Sequence, residues 1–340
     1  MATLAVPESY ATITAAVAAA NSGDTISIAD GPYNETVSSG GKALTFSSRG
    51  TNPSAVNITS GTTHAAGGVV VLDDNCTLAN LTVTYTGAGT SRYAVRSTSG
   101  TKNFHLSNCH IYTEVSGVAY IGVQGVIERC RIECTHKGTT NSTWGIYTTA
   151  AGATQTAVGS TLVLDFNWTG IWAPYAVVVN SLFHTQYIKN GSLRGIYCKN
   201  HFNNIARKDT ATNAYAGINT YSSVGSSSHC LSFGWVGSSV GDYYYGSGHN
   251  SNNLTSADVT SSGAPVFADE GAGDFHVDDT GVAYQSGDYT FQSTYSRFLN
   301  DLDDVPFNNP PSRGCYEYAS SGGGGGVSHM RCRLKLGLGL

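Results

Sequence analysis

Three acidic residues form the first set whose type and position could support catalysis. Glu128, Glu133 and Asp165 occur in a chain that has only 23 Asp and Glu among 340 residues. Two carboxylates about 5–9 Å apart are enough to cleave a glycosidic bond. We expect these three in neighbouring coils of a repetitive fold, either as a catalytic pair or as solvated positions facing water. The second interpretation is favoured, so we predict no catalytic residue.

A second set combines cysteine and histidine. Cys130, Cys134 and His136 fall on one parity with Ile132 between them, and Cys109 occupies an equivalent place one repeat earlier. Thiolate and imidazole ligands would suit zinc. The spacing is not that of a zinc knuckle, however, and free Cys is among the most buried residue types. We therefore predict stacked core cysteines, with no metal and no cofactor.

Aromatic side chains form a third set. Tyr243, Tyr244 and Tyr245 lie in the Gly/Ser/Asn-rich segment GDYYYGSGHNSNN, which predicts a loop. Exposed aromatic rings can stack on sugars or simply cover loop edges, and both interpretations stay open. The same alternatives apply to the four tryptophans, for which the core is favoured: Trp144, Trp168, Trp172 and Trp235.

Composition and charge limit the class of protein. Charged residues make up 12%, and there are 41 Gly and 20 Tyr, which favours an all-β chain with many turns. A net charge of −5 gives no indication of nucleic-acid binding, and no apolar run reaches membrane-spanning length. The start, MATLAVPES, lacks a basic region followed by an apolar one, so we expect synthesis in the host cytoplasm without a signal peptide.

A repeat from about residue 70 determines the fold prediction. Its six-residue kernel has an apolar residue at positions 1 and 6, a polar residue (often Asn) at position 3 and a small or apolar residue at position 4. The copies begin roughly 20 to 31 residues apart. The copies are Leu78-Ala-Asn80-Leu81-Thr-Val83, Leu106-Ser-Asn108-Cys109-His-Ile111, Ile127-Glu-Arg129-Cys130-Arg-Ile132, Val158-Gly-Ser160-Thr161-Leu-Val163, Val178-Val-Asn180-Ser181-Leu-Phe183 and Phe202-Asn-Asn204-Ile205. Strands this short bury an apolar face only by stacking coil on coil. Asn suits the turn because it tolerates left-handed backbone and can bond to the copy above.

The segment before the repeat contains one helical pattern. Residues 8–22 place Ile13, Ala16, Val17 and Ala20 on one apolar face, and a glycine follows.

These kernels, together with TITAAVAAANSGDTISIADGPYNE, resemble the pectin-lyase-like superfamily. The C-terminal pieces Gly273-Asp-Phe-His-Val277, Asp301-Leu-Asp303-Asp304-Val-Pro306 and Gly314-Cys-Tyr-Glu-Tyr318 are similar to its closing segment. The resemblance covers residues 8–318. It implies an all-β, right-handed, single-stranded parallel β-helix with an N-terminal cap (1–40), coils (41–260) and a closing segment (261–318). Because this fold hosts lyases, hydrolases, esterases, phage spikes and passive shells, it does not imply an activity.

The catalytic motifs of similar enzymes are incomplete in this sequence. The acids of calcium-binding pectate lyases are approached only by Asp73-Asp74, and the Gly-His-Gly of polygalacturonases only by Gly248-His249-Asn250. Asp165-Phe166 is similar to a pectinesterase motif, but the following Asn-Trp-Thr-Gly departs from it. The run Asp301, Asp303, Asp304 could bind calcium, but a turn is the simpler account.

The C-terminal tail suggests an anchor. A Ser/Gly linker (319–326) precedes residues 327–340, which alternate strictly. The expected anchoring residues are Arg331, Arg333, Leu334, Lys335, Leu336, Leu338 and Leu340. The alternation predicts a strand that joins the sheet edge of a partner, whereas a free end and a membrane-surface segment are the alternatives. Similar ends occur on β-helix proteins encoded by bacteriophages.

The sequence thus favours a non-enzymatic structural protein on a virion surface, with other virion proteins as partners. Capsid decoration or cement comes first, and a tail spike or fibre second. Homo-oligomer formation and weak glycan binding stay open, while nucleic-acid and membrane partners are not expected. The alternatives are a polysaccharide lyase or glycoside hydrolase of the same fold and a surface adhesin.

Changing Leu334, Leu336 and Leu338 together to Ser should abolish incorporation into particles and leave folding intact, because the tail lies outside the coils. Particle composition after purification from infected cells measures incorporation, and circular dichroism measures folding. Normal incorporation of the triple variant would rule out the strand-addition anchor.

Overall fold

The computed structural model describes residues 1–65, 67–87, 93–97, 103–113, 116–120, 125–134, 143–148, 157–166, 169–185, 194–208, 216–220, 226–235, 243–244, 250–272, 274–288, 298 and 300–317. In these residues the chain is an all-β parallel β-helix of stacked coils, so the predicted fold class is confirmed. The helices within the described ranges are short, and none has the length and apolar character needed to cross a membrane.

The N-terminal part contains a short helix packed on the first strands. Its elements are β1 (Thr3–Val6), α1 (Ile13–Ala19), β2 (Thr25–Ile28), β3 (Gly31–Asn34), β4 (Val37–Ser38), β5 (Thr45–Ser48) and β6 (Val56–Ser60). α1 buries Ile13 and Val17, as the apolar spacing predicts, but it is shorter than the segment that carries the pattern. Glu35 Oε1 accepts the backbone N–H of Ile13 at 2.9 Å, and Lys42 Nζ donates to the carbonyl oxygen of Val17 at 2.7 Å. Opposite charges thus complete the two ends of the helix.

The coils follow as a regular series of strands. The strands are β7 (Gly68–Leu72), β8 (Thr77–Ala79), β9 (Thr82–Tyr85), β10 (Tyr93–Ser97), β11 (Phe104–Ser107), β12 (His110–Thr113), β13 (Ser116–Tyr120), β14 (Gly125–Glu128), β15 (Arg131–Cys134), β16 (Trp144–Thr148), β17 (Ala157–Gly159), β18 (Leu162–Leu164), β19 (Thr169–Val179), β20 (Leu182–Thr185), β21 (Arg194–Phe202), β22 (Ile205–Lys208), β23 (Ala216–Thr220), β24 (Ser226–Ser228), β25 (Leu231–Phe233), β26 (Tyr243–Tyr244) and β27 (Asn250–Ser251).

Each coil passes through three faces. Face 1 contains β4, β7, β10, β13, β16, β23, β26 and the first parts of β19 and β21. Face 2 contains β1, β2, β5, β8, β11, β14, β17, β24, β27 and the second parts of β19 and β21. Face 3 is the 9-stranded sheet of β3, β6, β9, β12, β15, β18, β20, β22 and β25. Every strand pairs in parallel with the same strand of the next coil, so equivalent residues form columns along the axis.

The turn from face 2 to face 3 uses left-handed backbone in successive coils. Its residues are Asn80, Asn108, Arg129, Ser160, Asn180, Asn203, His229 and Asn252, with φ between 46° and 58°. Asn108 Nδ2 donates to Asn80 Oδ1 at 2.9 Å, and Asn203 Nδ2 donates to Asn180 Oδ1 at 3.0 Å. The expected role of Asn in this turn is confirmed, although Arg, Ser and His also occupy it.

The predicted sixth kernel copy was wrong by one residue. Val178 pairs with His201, which places Asn203 rather than Asn204 at the left-handed turn. Phe202, taken as the inward apolar residue, instead packs outside with other apolar side chains. Hydrophobicity misled the prediction because the interior position is filled by a buried histidine. Burial lowers the pKa of His201 to about 4, which keeps its ring neutral in the interior.

The cysteines occupy the core, as predicted. Cys109, Cys130 and Cys134 are buried, and burial beside Cys109 raises the pKa of the Cys130 thiol. His136, the other candidate zinc ligand, lies outside the described residues. Within the described ranges, no group of three or more His, Cys, Asp or Glu side chains could hold a metal ion.

A closing segment covers the later part of face 3. It contains α2 (Ser256–Ser262), β28 (Phe267–Asp269), a single 3-10 turn (Glu270–Ala272) and β29 (Asp274–Val277), and it continues to residue 317. β28 and β29 pair as an antiparallel hairpin, and their Phe267 and Phe275 pack at 5.4 Å between ring centroids. Beneath the hairpin the outward residues of face 3 are apolar: Leu162, Leu164, Leu182, Ile205, Leu231 and Phe233. Burial of these side chains fixes the segment to the coils.

His276 and its two aspartate partners, called here the histidine clasp, join the hairpin to residues 300–317. His276 Nδ1 lies 2.6 Å from Asp274 Oδ1, His276 Nε2 lies 2.9 Å from Asp303 Oδ2, and the ring stacks on Tyr316 at 4.7 Å. Burial alone would lower the pKa of His276. The hydrogen bonds to Asp303 and Asp274 outweigh it and raise the pKa to about 9.

The clasp predicts a pH dependence of stability. The pKa of His276 in the folded protein lies above its ordinary value. The clasp therefore contributes its full stabilisation to the folded state below about pH 6.5, and this stabilisation is lost as the pH rises through about 9. Between these limits the free energy of unfolding should fall more for the wild type than for His276→Gln. Urea unfolding at several pH values measures this difference, and parallel curves for the two proteins would contradict it.

Packing between coils predicts the effect of a single methyl group. A Cβ added at Gly170 would lie 2.1 Å from the ring of buried Phe183, so Gly170→Ala should lower the free energy of unfolding by about 1–3 kcal/mol. The control is Gly50→Ala, where the nearest atom is 3.9 Å away and little change is expected. Equal urea midpoints for the two variants would contradict the prediction, because they would show that neighbouring side chains move to accommodate the methyl group at position 170.

Candidate functional site

Face 1 carries a second repeat, in which a small residue and a Val or Ile stand between two outward positions. Its copies are Tyr93-Ala94-Val95-Arg96, Ser116-Gly117-Val118-Ala119, Trp144-Gly145-Ile146-Tyr147, Thr169-Gly170-Ile171-Trp172, Arg194-Gly195-Ile196-Tyr197 and Ala216-Gly217-Ile218-Asn219. The small position lies against the next coil: a Cβ at Gly145 would be 2.4 Å from the Gly170 carbonyl oxygen, and one at Gly195 would be 2.3 Å from that of Gly217. In the copies that begin at Tyr93, Trp144 and Arg194, two consecutive buried residues thus lie between two half-buried residues that face out, whereas Thr169 and Asn219 are buried at the equivalent positions.

The parallel register aligns these outward residues into two columns, called here the aromatic columns. The first contains Tyr93, Trp144, Thr169 and Arg194. The second contains Arg96, Tyr147, Trp172, Tyr197 and Asn219, and the strand register places Ala119 and Tyr244 at equivalent positions. Most of the side chains that the structure describes in these columns are half-buried and keep part of their surface accessible, whereas Thr169 and Asn219 are buried.

The rings in the columns touch one another. The Trp144 and Tyr147 centroids are 5.4 Å apart, and those of Trp172 and Tyr197 are 4.5 Å apart, both tilted. The guanidinium carbon of Arg194 lies 5.0 Å from the Trp172 centroid and 5.5 Å from the Tyr197 centroid. These are ranges for favourable aromatic and cation–π contacts, so the columns are packed before any ligand arrives.

The predicted core position of the tryptophans is wrong for Trp144 and Trp172, which face outward. Trp235 is buried as predicted, with its Nε1 donating to the Ala206 carbonyl oxygen at 3.2 Å, whereas Trp168 lies outside the described residues. The missed signal was the small–aliphatic repeat itself. Its glycines mark where the chain turns two successive residues inward.

The tyrosine triplet was predicted as a loop, but its first two residues form β26. Tyr243 pairs with Ile218, and Tyr244 pairs with Asn219, which continues face 1 by one coil. Tyr245 lies outside the described residues. Glycan contact by the triplet stays a prediction.

The three candidate acids are not brought together as a pair. Glu128 ends β14 on face 2, where its Oε1 lies 2.7 Å from His105 Nε2. Glu133 lies on face 3 of the same coil and accepts from Arg131 Nη2 at 2.8 Å, so the expectation of neighbouring coils was wrong for these two. Asp165 follows β18 with a φ of 61°. Residues that are close in the sequence are separated here because the left-handed turn places the strands before and after it on different faces.

The remaining expectations divide between a turn and the tail. Asp301 Oδ1 accepts the backbone N–H groups of Asp303 at 3.0 Å and Val305 at 2.8 Å, so the turn interpretation is confirmed. Burial raises the pKa of Asp301 to about 6.

The linker and every expected anchoring residue lie outside the described residues: Arg331, Arg333, Leu334, Lys335, Leu336, Leu338 and Leu340.

Comparisons with known proteins find only distant structural similarity. No family model and no curated protein matches the chain. The pectin methylesterase from Aspergillus niger is 14% identical over 76% of this chain and 86% of its own, with a TM-score of 0.44. The pectin methylesterase from Yersinia enterocolitica is 12% identical over 73% and 91%, with a TM-score of 0.45. The Dettilon tailspike protein is 15% identical over 74% and 68%, with a TM-score of 0.40. At these identities and TM-scores the similarity says nothing about the activity of this chain.

Proposed function

We propose that this chain is a non-enzymatic display protein that binds a glycan along the aromatic columns of face 1. The observation that carries the proposal is the outward run of Tyr147, Trp172 and Tyr197 along the second column, with Trp144 beside Tyr147 in the first column. Half-buried rings fixed on a rigid sheet lose little side-chain freedom when a ligand binds.

An extended polymer fits this surface better than a compact ligand. The columns run along the axis of the β-helix, and neighbouring coils are spaced like neighbouring strands, about 4.8 Å apart. Several rings therefore lie in a row. The apolar faces of sugar rings can stack on Trp and Tyr while their hydroxyls stay in water, which matches the amphipathic character of these side chains.

Attachment to a virus particle completes the proposal. The tethered, alternating sequence of residues 327–340 supports an anchoring strand, with capsid decoration as the first role and a tail spike or fibre as the second. In this arrangement the β-helix is the displayed module, and its partners are other virion proteins.

The alternative of a polysaccharide-cleaving enzyme is not favoured by the positions of its candidate residues. Glu128 is hydrogen-bonded to His105 on face 2, and Glu133 is paired with Arg131 on face 3. Neither carboxylate belongs to the aromatic columns of face 1.

Affinity electrophoresis in gels containing soluble polysaccharides or bacterial lipopolysaccharide tests the binding. Trp144→Ala and Tyr147→Ala should each weaken retardation of the protein about tenfold or more, the size of effect expected for a central aromatic anchor. The control is Tyr112→Ala, since Tyr112 is a half-buried aromatic residue on face 3. Its retardation should stay that of the wild type.

Two results would contradict the proposal. Equal retardation of all variants would show that face 1 is not the binding surface. Release of new reducing ends or unsaturated products by the wild type, abolished in Glu128→Gln or Glu133→Gln, would favour the enzyme instead.

A further inference from the structure

Arg194 differs from its neighbours because it places a charge over the aromatic columns. It occupies the outward position before Gly195, in register with Thr169 of the preceding coil. From there its guanidinium carbon lies 5.0 Å from the Trp172 centroid and 5.5 Å from the Tyr197 centroid. Both rings of the Trp172–Tyr197 pair are therefore in contact with one cation.

A sugar that stacks on the Arg194 side of Trp172 must displace this guanidinium. The contact is partly desolvated, because the Arg194 side chain is half-buried and its Nε is buried, so its loss opposes a ligand that offers the guanidinium nothing in return. The displaced group nevertheless remains beside the ligand, because it is tethered to the next coil. The hydrogen-bond acceptors that the ligand presents to the guanidinium then determine the net affinity at this end of the columns.

We propose that Arg194 is a specificity-determining residue that selects glycans carrying an anionic substituent, and this inference rests on the proposed glycan-binding function. A guanidinium presents its donors as a planar fork that matches carboxylate, sulfate and phosphate oxygens. A neutral sugar provides no comparable acceptor in exchange for the lost cation–π contact.

The charges of the columns agree with an anionic ligand. Arg96 is a second cation on the same surface, with its guanidinium carbon 5.8 Å from the Tyr93 centroid. Asp and Glu do not occur among the column residues in the described ranges. An anionic chain along face 1 would therefore meet favourable charge at two places and no carboxylate of the columns.

Matched pairs of polysaccharides with one backbone separate charge from shape. The probes are dextran, carboxymethyl-dextran and dextran sulfate, with hydroxyethyl-cellulose and carboxymethyl-cellulose as a second backbone. Biolayer interferometry on the immobilised full chain gives the affinities. The wild type should prefer the anionic member of a pair about tenfold or more, and the carboxymethyl and sulfate arms identify the preferred group.

The variants assign that preference to a residue. Arg194→Gln should lose most of the preference and keep, or slightly gain, affinity for the neutral member. Arg96→Gln removes the same charge from the same face and should retain most of the preference. Arg194→Lys keeps the charge without the planar fork and should fall between wild type and Arg194→Gln. Unchanged circular dichroism and melting temperature confirm that each variant is folded.

Each contrary result has a separate meaning. If Trp172→Ala weakens binding but Arg194→Gln keeps the anionic preference, the role of Arg194 is wrong and the glycan site stands. The same conclusion follows if Arg96→Gln removes as much of the preference as Arg194→Gln, because general charge then explains it. If no probe binds and no variant of the columns changes retardation by bacterial lipopolysaccharide, the proposed function fails and this inference fails with it.

Discussion

The structure depends on one repeated backbone event, the left-handed turn that joins face 2 to face 3. A single residue in this conformation bends the chain from one face to the next. Because the turn recurs at the equivalent place in successive coils, the strands on both sides of it stay in register. The Asn pairs at the turn, such as Asn180 with Asn203 at 3.0 Å, add side-chain hydrogen bonds to the backbone bonds between successive turns, such as Asn180 N–H to the Phe202 carbonyl oxygen at 3.0 Å. If the turn moved by one residue, each strand after it would exchange its inward and outward side chains.

Constant register gives the outer surface its chemistry. Because equivalent residues of successive coils lie side by side, any preference at an outward position becomes a continuous column. On face 3 the columns become apolar from Leu162 onward, and the closing hairpin covers them with Phe267 and Phe275. On face 1 aromatic rings follow one another in neighbouring coils from Trp144 to Tyr197, and these rings are half-buried beside one another. One architecture thus builds a closed apolar surface and an accessible aromatic one.

The same geometry separates the acidic residues that look close in the sequence. Glu128 and Glu133 are five positions apart, but a left-handed turn lies between them, so each forms its hydrogen bonds on a different face. A reactive pair in a β-helix would need residues in the same column of adjacent coils, or in adjacent columns of one face. The aromatic columns satisfy that geometric requirement, and for that reason we propose binding along face 1.

The sequence alone determined the fold, because the kernel repeat combines an apolar alternation with a turn residue at a spacing that only stacked coils satisfy. It also determined that Cys109 and Cys130 lie in the core, since they occupy the same kernel position. Only the tertiary structure decided which apolar residues face outward. Phe202, Trp144 and Trp172 were all taken as inward, yet all three point out of the coils, Phe202 into a buried apolar cluster and the two tryptophans to half-buried positions. Hydrophobicity cannot assign direction in a strand where Gly and Ile point inward in succession, because the simple alternation of two is broken there. That break is set by close packing between coils, as at Gly145 against the Gly170 carbonyl oxygen, and such packing exists only once the coils are stacked.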